Sequence, residues 1–193
     1  MKYPLETASI DASTALFVFA LPSEAAGEFD RCSCLFTGVG KVNAAYHLTK
    51  QIAKHKPGLI INLGSAGSNI FQKGTIVCCT QFIQRDMDAT GLGFNRFETP
   101  FSGEPALLEY GHFIDGIPTG ICGSGDHFET AHTNTGYNVV DMEAYALAFI
   151  AKKERVPFLC LKYISDGADG GAADDWSTEV HKAANAFKKI ICF

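Results

Sequence analysis

Residues 138–169 read NVVDMEAYALAFIAKKERVPFLCLKYISDGAD, and they join two acidic sites in one supersecondary unit. Residues 141–143 (DME) end one apolar run, and residues 165–166 (SD) end a second run over residues 158–164. Between them, residues 144–155 repeat apolar side chains at helical spacing, which predicts a helix that stops at a Val-Pro pair. A strand-helix-strand unit brings both strand ends to one edge of a parallel sheet, where open α/β folds bind ligands. The stretch therefore predicts a small-molecule site, with one acidic group to hold hydroxyls and another to move a proton.

The length and charge of the chain limit the classes of function. A chain of 193 residues is expected to form one domain with a full core. We place this domain at residues 14–193, after a loosely ordered lead-in over residues 1–13. The net charge of -5 comes without a basic patch, which argues against nucleic acid as a partner. The apolar run at residues 15–21 is too short to span a membrane and lacks the basic flank of a signal peptide. We therefore expect a cytoplasmic protein without membrane association.

The cysteines indicate a reducing compartment. Their number is odd and most lie inside apolar runs; they are Cys32, Cys34, Cys78, Cys79, Cys122, Cys160 and Cys192. Buried free thiols explain this pattern better than a disulfide framework does. Cys32 and Cys34 lack the spacing of a zinc site and have no partner pair. We therefore expect no metal site.

Strands and helices alternate along the rest of the chain. The apolar runs predict strands at residues 14–21, 34–37, 58–62, 74–83 and 120–124. A helix is predicted after Asn43, through roughly His55, and an amphipathic pattern predicts a closing helix at residues 175–190. Residues 91–110, which are rich in Gly, Pro, Phe and Glu, predict a long loop. This alternation is typical of an α/β domain with a largely parallel sheet.

Several features at the predicted strand ends leave alternatives open. Glu24 either faces a ligand or is a solvated residue in the first turn of a helix, and helix electrostatics favours the second interpretation. Residues 64–68 (GSAGS) either offer backbone amides to a ligand or form a tight turn only, with equal weight. Phe128 can stack on a ring, although an aromatic residue there more often belongs to the core. Arg85 either serves to hold a phosphate or is a surface or loop residue, and the second interpretation is favoured.

The Gly-x-Gly turn at residues 38–43 (GVGKVN) is a weak signal for a cofactor. A dinucleotide fingerprint needs a third glycine where Asn43 stands, and a P-loop needs more residues between its glycines and a Lys-Ser/Thr pair. The turn is therefore interpreted as a strand-to-helix connection.

Seven segments, taken in order, carry a resemblance to a known family. They are ALPSE (20–24), TGVGKVNAA (37–45), NLGSAGS (62–68), DMDATGLGF (86–94), SGDHF (124–128), VVDMEA (139–144) and ISDGAD (164–169). From about residue 14 to the C-terminus the chain resembles the 5'-methylthioadenosine/S-adenosylhomocysteine nucleosidases, within the purine nucleoside phosphorylase superfamily. The resemblance implies a single-domain, three-layer α/β/α fold around a mixed, largely parallel sheet. It also implies a purine nucleoside as substrate, a homodimer, and no metal or organic cofactor.

The resemblance implies roles for individual residues. Asp166 would be the general acid that protonates N7 of the purine, held in place by Ser165. Glu24 would position and deprotonate the attacking water. The implied substrate contacts are Glu143 at the ribose hydroxyls, Met142 against the sugar, Phe128 stacked on the base, the backbone of Glu129 at the base edge, and Ser65, Ala66 and Gly67 along the base and ribose.

The sequence is shorter than the family pattern in two places. About a dozen residues separate Glu24 from Thr37, and the stretch between Phe128 and Asn138 is also short. These differences predict a sheet and one helix that are trimmed relative to the family. Lys162 stands near a position where the family often has Arg, and the sequence assigns it no role.

The lead hypothesis is a nucleosidase that hydrolyses 5'-modified adenosines, such as methylthioadenosine, S-adenosylhomocysteine and 5'-deoxyadenosine, to release adenine. A futalosine hydrolase of menaquinone synthesis is the first alternative, and a phosphate-dependent purine nucleoside phosphorylase is the second. Glu24 argues against the phosphorylase because a carboxylate repels phosphate. A nucleoside-binding protein without turnover is the third alternative, although binding alone needs neither Glu24 nor Asp166.

Overall fold

The structure is a computed structural model that describes residues 2–5, 15–133 and 136–191. The strands are β1 (Lys2–Leu5), β2 (Ala15–Phe19), β3 (Ser33–Phe36), β4 (Leu59–Gly67), β5 (Ile76–Gln84), β6 (Leu107–Glu109), β7 (Gly111–Ile114), β8 (Thr119–Ser124), β9 (Val139–Asp141) and β10 (Phe158–Asp166). The helices are α1 (Pro22–Ala25), α2 (Lys41–Lys54), α3 (Ala144–Lys153) and α4 (Ala172–Ile190).

The described strands form one mixed sheet in the order β1-β7-β10-β5-β8-β9-β4-β2-β3, with β6 beside β5. Seven of its ten strand pairings are parallel. Because β10 also pairs with β4, the strands β4, β10, β5, β8 and β9 close into a ring. The mouth of this ring lies where β4, β8, β9 and β10 end.

Helices cover both faces of the sheet. On one face, α2 and α3 pack on β2, β4, β5 and β10 in a shared apolar cluster. Helix α2 contributes Ala44, Leu48 and Ile52, whose spacing of four residues places them on one side. On the other face, α4 packs through Ala183, Ala184 and Phe187. The three-layer α/β/α fold with a largely parallel sheet is therefore confirmed.

Strands β4 and β10 occupy the centre of the molecule and are buried along nearly their whole length. This burial explains their nearly continuous apolar sequence, which is typical of parallel strands covered on both faces. Both strands extend beyond the C-terminal ends of the apolar runs from which they were predicted. Strand β4 extends through Ser65 to Gly67, and β10 extends through Ser165 to Asp166. The polar residues at the two strand ends are thus held by the sheet.

Other differences from the predicted elements lie at the edges of the sheet. Within the predicted lead-in, β1 pairs in parallel with β7, and neither strand was predicted. The predicted loop at residues 91–110 contains β6 near its end. Between Glu24 and Thr37 the chain forms one helical turn, α1, and β3. Residues 6–14 and Cys192 lie outside the described residues.

Candidate active site

A cavity of about 240 Å³ opens at the mouth of the strand ring. The ends of β4, β9 and β10, helix α1, the β8–β9 connection and the first turns of α4 contribute to its wall. The residues that line it are Ala20, Leu21, Glu24, Val39, Ser65, Ala66, Gly67, Arg85, His127, Phe128, Glu129, Val140, Asp141, Met142, Glu143, Asp166, Ala168 and Trp176. Nine of the ten site residues predicted from the sequence are among them. The tenth, Ser165, precedes Asp166 on β10 and donates a hydrogen bond to its carboxyl group.

Glu24 is 4 % exposed, so the interpretation of a solvated helix residue is wrong. Its Oε2 accepts hydrogen bonds from the backbone N–H of Ala20 (3.0 Å) and Leu21 (3.1 Å). Its Oε1 accepts from the backbone N–H and from the hydroxyl of Ser65, both at 2.9 Å. Donors from two strand ends therefore hold the carboxylate in one orientation at the cavity wall.

Asp166 ends β10 and is buried. Its Oδ2 accepts a hydrogen bond from the Ser165 hydroxyl at 2.8 Å, and its Oδ1 accepts from the Ala168 N–H at 2.9 Å. Burial raises the pKa of Asp166 because desolvation penalises the charged form, and the hydrogen bonds from Ser165 and Ala168 oppose this only in part. A carboxyl group with a raised pKa in a cavity wall is suited to donate a proton.

Glu143 lies at the N-terminal end of α3 and is buried. Its Oε1 accepts a hydrogen bond from the backbone N–H of Gly40 at 2.8 Å. Burial and the neighbouring Asp141 raise the pKa of Glu143 to about 8. The contact with Gly40 joins the Gly-x-Gly turn to the cavity, so this turn positions a site residue.

A buried ion pair lies beneath the cavity. The Lys162 ammonium on β10 is 2.8 Å from Asp141 Oδ2 at the end of β9, and both side chains are almost fully buried. Asp141 also accepts hydrogen bonds from the Ser124 hydroxyl and from the Ala144 N–H, the latter at 2.8 Å. Burial would raise the pKa of Asp141, but Lys162 and these donors outweigh it and hold the pKa low. Lys162, Ser124 and Ala144 therefore occupy the Asp141 carboxylate, and Lys162, to which the sequence assigned no role, keeps it charged.

Phe128 and Glu129 form the outer part of the wall. Phe128 is 46 % exposed, so it belongs to the cavity rim and not to the core. The Glu129 carboxylate is 3.1 Å from Arg85 Nη1. The Arg85 side chain is only 1 % exposed, and its guanidinium also donates to the backbone carbonyl of His127. Arg85 lies in the turn directly after β5, as expected for a loop residue, but the expectation of a surface position is wrong, because these acceptors hold the side chain in the interior under the connection that carries Phe128.

The sequence did not identify Trp176 as a site residue. Its indole lines the cavity, and its Nε1 donates to the Ser65 hydroxyl at 2.9 Å. The short separation in sequence between Asp166 and the last helix could have indicated that Trp176 lies near the site. A helix that starts six residues after Asp166 must begin at the same sheet edge as that residue.

The remaining wall is built of small or apolar groups. Ala66 and Gly67 bring the backbone of β4 to the cavity, and Met142 stands between Asp141 and Glu143. In the described ranges, no group of three or more His, Cys, Asp or Glu side chains is arranged to hold a metal ion. What the cavity can do chemically follows from its carboxyl groups: Asp166 can donate a proton while Glu24 accepts one.

Comparisons with known proteins agree with this description. The family described as "Phosphorylase superfamily" matches residues 25–115 and 118–192. A 5'-methylthioadenosine/S-adenosylhomocysteine nucleosidase of Haemophilus influenzae (strain PittEE) is 32 % identical over 177 residues, which cover 81 % of this chain and 77 % of the relative. A protein of the same name from Staphylococcus carnosus (strain TM300) is 30 % identical over 80 % of this chain and 77 % of the relative.

Solved structures have the same fold. A Helicobacter pylori nucleosidase variant with 5'-methylthioadenosine in its active site superposes with a TM-score of 0.82 at 18 % identity, covering 93 % of this chain and 96 % of the other. A Neisseria meningitidis 5'-methylthioadenosine/S-adenosylhomocysteine nucleosidase gives a TM-score of 0.79 at 22 % identity, with the same two coverages. A futalosine hydrolase of Helicobacter pylori gives 0.82 at 18 % identity, again with these coverages.

Fold and cavity thus define a protein of the nucleoside phosphorylase and nucleosidase class, in which carboxyl groups at the ends of a curled α/β sheet surround a small-molecule cavity. The relatives at 30 % identity or more place it more closely. The chain belongs to the phosphorylase superfamily and, within it, to the 5'-methylthioadenosine/S-adenosylhomocysteine nucleosidase family.

Proposed function

We propose that this protein hydrolyses the N-glycosidic bond of 5'-modified adenosines and releases adenine. The proposal rests on one observation: two carboxyl groups in contrasting environments line the same cavity. Asp166 has a raised pKa, and Glu24 accepts hydrogen bonds from four donors. Pairs of carboxyl groups in contrasting environments are typical of acid and base partners.

Asp166 is the proposed general acid. Cleavage of the bond leaves negative charge on the departing base, and a proton delivered to purine N7 removes it. The raised pKa keeps Asp166 protonated to higher pH than an ordinary aspartic acid. Ser165 and Ala168 fix the carboxyl group at the strand end, so the proton is presented from one direction.

Glu24 is the proposed base that positions and deprotonates the attacking water. Its orientation is fixed by Ser65 and by the turn at the end of β2. Phosphate as nucleophile would need cationic groups free to hold an anion. The cation of the cavity wall, Arg85, is paired with Glu129, and Glu24 would repel phosphate. We therefore favour hydrolysis over phosphorolysis.

The other predicted roles fit the positions of the residues around the cavity. Glu143, which stands beside Met142, would hold the ribose hydroxyls while Met142 packs on the sugar. Phe128 at the rim would stack on the base, and the backbone of Glu129 would contact the base edge. Ser65, Ala66 and Gly67 would complete the base and ribose side.

The test is base release in phosphate-free buffer, followed by chromatography. The substrates are methylthioadenosine, S-adenosylhomocysteine, 5'-deoxyadenosine, inosine and futalosine. Adenine from the thioether nucleosides supports the proposal. Hypoxanthine from futalosine alone identifies a futalosine hydrolase, a function also carried by a protein of the same fold. Strict dependence on added phosphate identifies a phosphorylase, and ligand binding without base release identifies a binding protein.

We further propose a cytoplasmic homodimer. The six described cysteines are free, which suits a reducing compartment. None of the helices in the described parts of the chain is long and apolar enough to cross a membrane. Val39 lines the cavity just before α2 and is partly exposed, and Val42 and Tyr46 on the first turns of α2 are exposed apolar side chains four residues apart, which places them on one side of the helix. A partner subunit on this patch would lie beside the cavity. Sedimentation of the wild type and of Val42→Asp tests this, because an added charge at the patch should favour the monomer.

A further inference from the structure

Trp176, Ser65 and Glu24 form a chain of hydrogen bonds that reaches from α4 to the proposed base. The indole Nε1 donates to the Ser65 hydroxyl oxygen at 2.9 Å, and that hydroxyl donates to Glu24 Oε1 at 2.9 Å. The same Oε1 accepts from the Ser65 backbone N–H, also at 2.9 Å. Trp176 and Glu24 both line the cavity, so this chain lies in its wall.

The chemistry of the three groups fixes the direction of the chain. An indole N–H can only donate, and an ionised carboxylate can only accept. A serine hydroxyl does both, but it has a single proton. Once Ser65 accepts from Trp176, the Ser65 proton is directed at Glu24. Without the indole N–H, the hydroxyl is free to rotate and donate to water or to a sugar oxygen, and Glu24 loses one of its four donors.

The indole is held from outside the cavity by the anchoring of α4. Just before Trp176, Asp175 forms an ion pair with Lys73. Further along, Glu179 accepts a hydrogen bond from the Tyr163 hydroxyl at 2.9 Å. The apolar side of α4 is buried against the sheet through Ala183 and Phe187. A rigid helix therefore presents the N–H at a fixed place.

We propose that Trp176 is a positioning residue for catalysis, which orients the Ser65 hydroxyl toward Glu24 and so keeps the base aimed at the attacking water. The proposal rests on the proposed hydrolysis and adds a residue to it. The hydrogen bonds lead from Trp176 to Glu24 and not to Asp166. Trp176 therefore supports the activation of water by Glu24 and not the protonation of the purine by Asp166.

A double-mutant cycle in kcat tests the proposal, with 5'-methylthioadenosine as substrate. Trp176→Phe keeps an aromatic ring but removes the donor, and it is expected to lower kcat by about 3- to 10-fold, the effect of one hydrogen bond. The same change in a Ser65→Ala background is expected to alter kcat by less than about 2-fold, because the group that transmits the effect is gone. KM is expected to change little in both backgrounds.

A second replacement keeps the full size of the ring. Since the chain has one tryptophan, biosynthetic incorporation of benzothienylalanine, in which sulfur replaces the N–H, changes position 176 alone. It should lower kcat as Trp176→Phe does. Tyr110→Phe is the matched control, because it removes a hydroxyl hydrogen bond to the Val156 carbonyl that involves neither α4 nor a residue lining the cavity, and it should leave kcat unchanged.

The outcomes separate the two proposals. A fall in kcat that is lost in the Ser65→Ala background supports the positioning role. Unchanged kcat in both Trp176 replacements, or an equal fall with and without Ser65, overturns it while hydrolysis by the wild type stands. Absence of adenine release by the wild type overturns the proposed function, and the positioning role with it.

Discussion

Gly67 and Asp166 face each other across the ends of β4 and β10, where they are register partners at a bulge in β10. A Cβ atom built on Gly67 would stand 2.5 Å from Asp166 Oδ1 and 3.0 Å from the Cβ of Ala168. No real side chain tolerates the shorter distance, so the absence of a side chain at position 67 makes room for the proposed acid.

Gly67→Ala is therefore expected to displace the Asp166 carboxyl group and to lower kcat by about 100-fold, since misplacement by about 1 Å has effects of that size. Gly91→Ala is the control, because a Cβ there meets nothing within 4 Å. Steady-state kinetics of both variants checks the prediction. Wild-type kcat in Gly67→Ala would show that the carboxyl group has room to move without loss.

Asp166→Asn is expected to retain the fold and to lose most activity. The amide oxygen can still accept from Ala168, and Ser165 can turn its hydroxyl to the Ala66 carbonyl, 3.3 Å away. An amide has no acidic proton to donate to N7 of the purine, so kcat should fall by about 10²- to 10⁴-fold. Circular dichroism and turnover are the measurements, with the exposed Asp115→Asn as the control. Near-parental turnover would remove Asp166 from the mechanism.

Glu143 should make the folded protein less stable as the pH rises. Its pKa is raised from an ordinary value of 4.5 to about 8, so the folded protein keeps this proton where the unfolded chain has released it. Between these two values the unfolded state binds fewer protons, and the free energy of unfolding falls with increasing pH.

Glu143→Gln carries the neutral form permanently and keeps an oxygen for the Gly40 N–H. Its midpoint of thermal unfolding should therefore change less over this pH range than that of the wild type. Glu109→Gln, an exposed glutamate on β6, should leave the pH profile as it is. Parallel profiles for wild type and Glu143→Gln would argue against the raised pKa.

Lys162→Met is expected to lower the free energy of unfolding by about 3–5 kcal/mol, because it leaves the Asp141 carboxylate buried without its cation. Adding Asp141→Asn should restore most of the loss, since the double variant buries no charge. Lys73→Met, which breaks the exposed pair with Asp175, should hardly change the stability. Chemical denaturation measures all three, and equal losses in the single Lys variants would contradict the argument.

Local patterns in the sequence predicted the central strands and helices because β4, β10, α2 and α3 bury continuous or periodic apolar residues. They missed β1 and β7, which are short and pair mainly with each other at the edge of the sheet. They also could not show that the strands close into a ring, since this depends on the pairing of β10 with both β4 and β5.

The family resemblance identified most of the site residues. Arguments from local sequence misjudged the burial of Glu24 and Arg85, and the structure explains why. Glu24 looked like a solvated helix residue because two of its four donors belong to Ser65, far along the chain. Arg85 looked exposed because its acceptors lie on the connection after β8. Such long-range partners leave no trace in local sequence.

The indole in the cavity wall also gives the protein a built-in optical probe. With one tryptophan in the chain, all indole fluorescence comes from the edge of the proposed active site. A nucleoside that displaces water from the cavity should shift this emission to shorter wavelength. Binding of substrates, products and inhibitors can thus be followed by titration of the unlabelled protein, even in variants that no longer turn over.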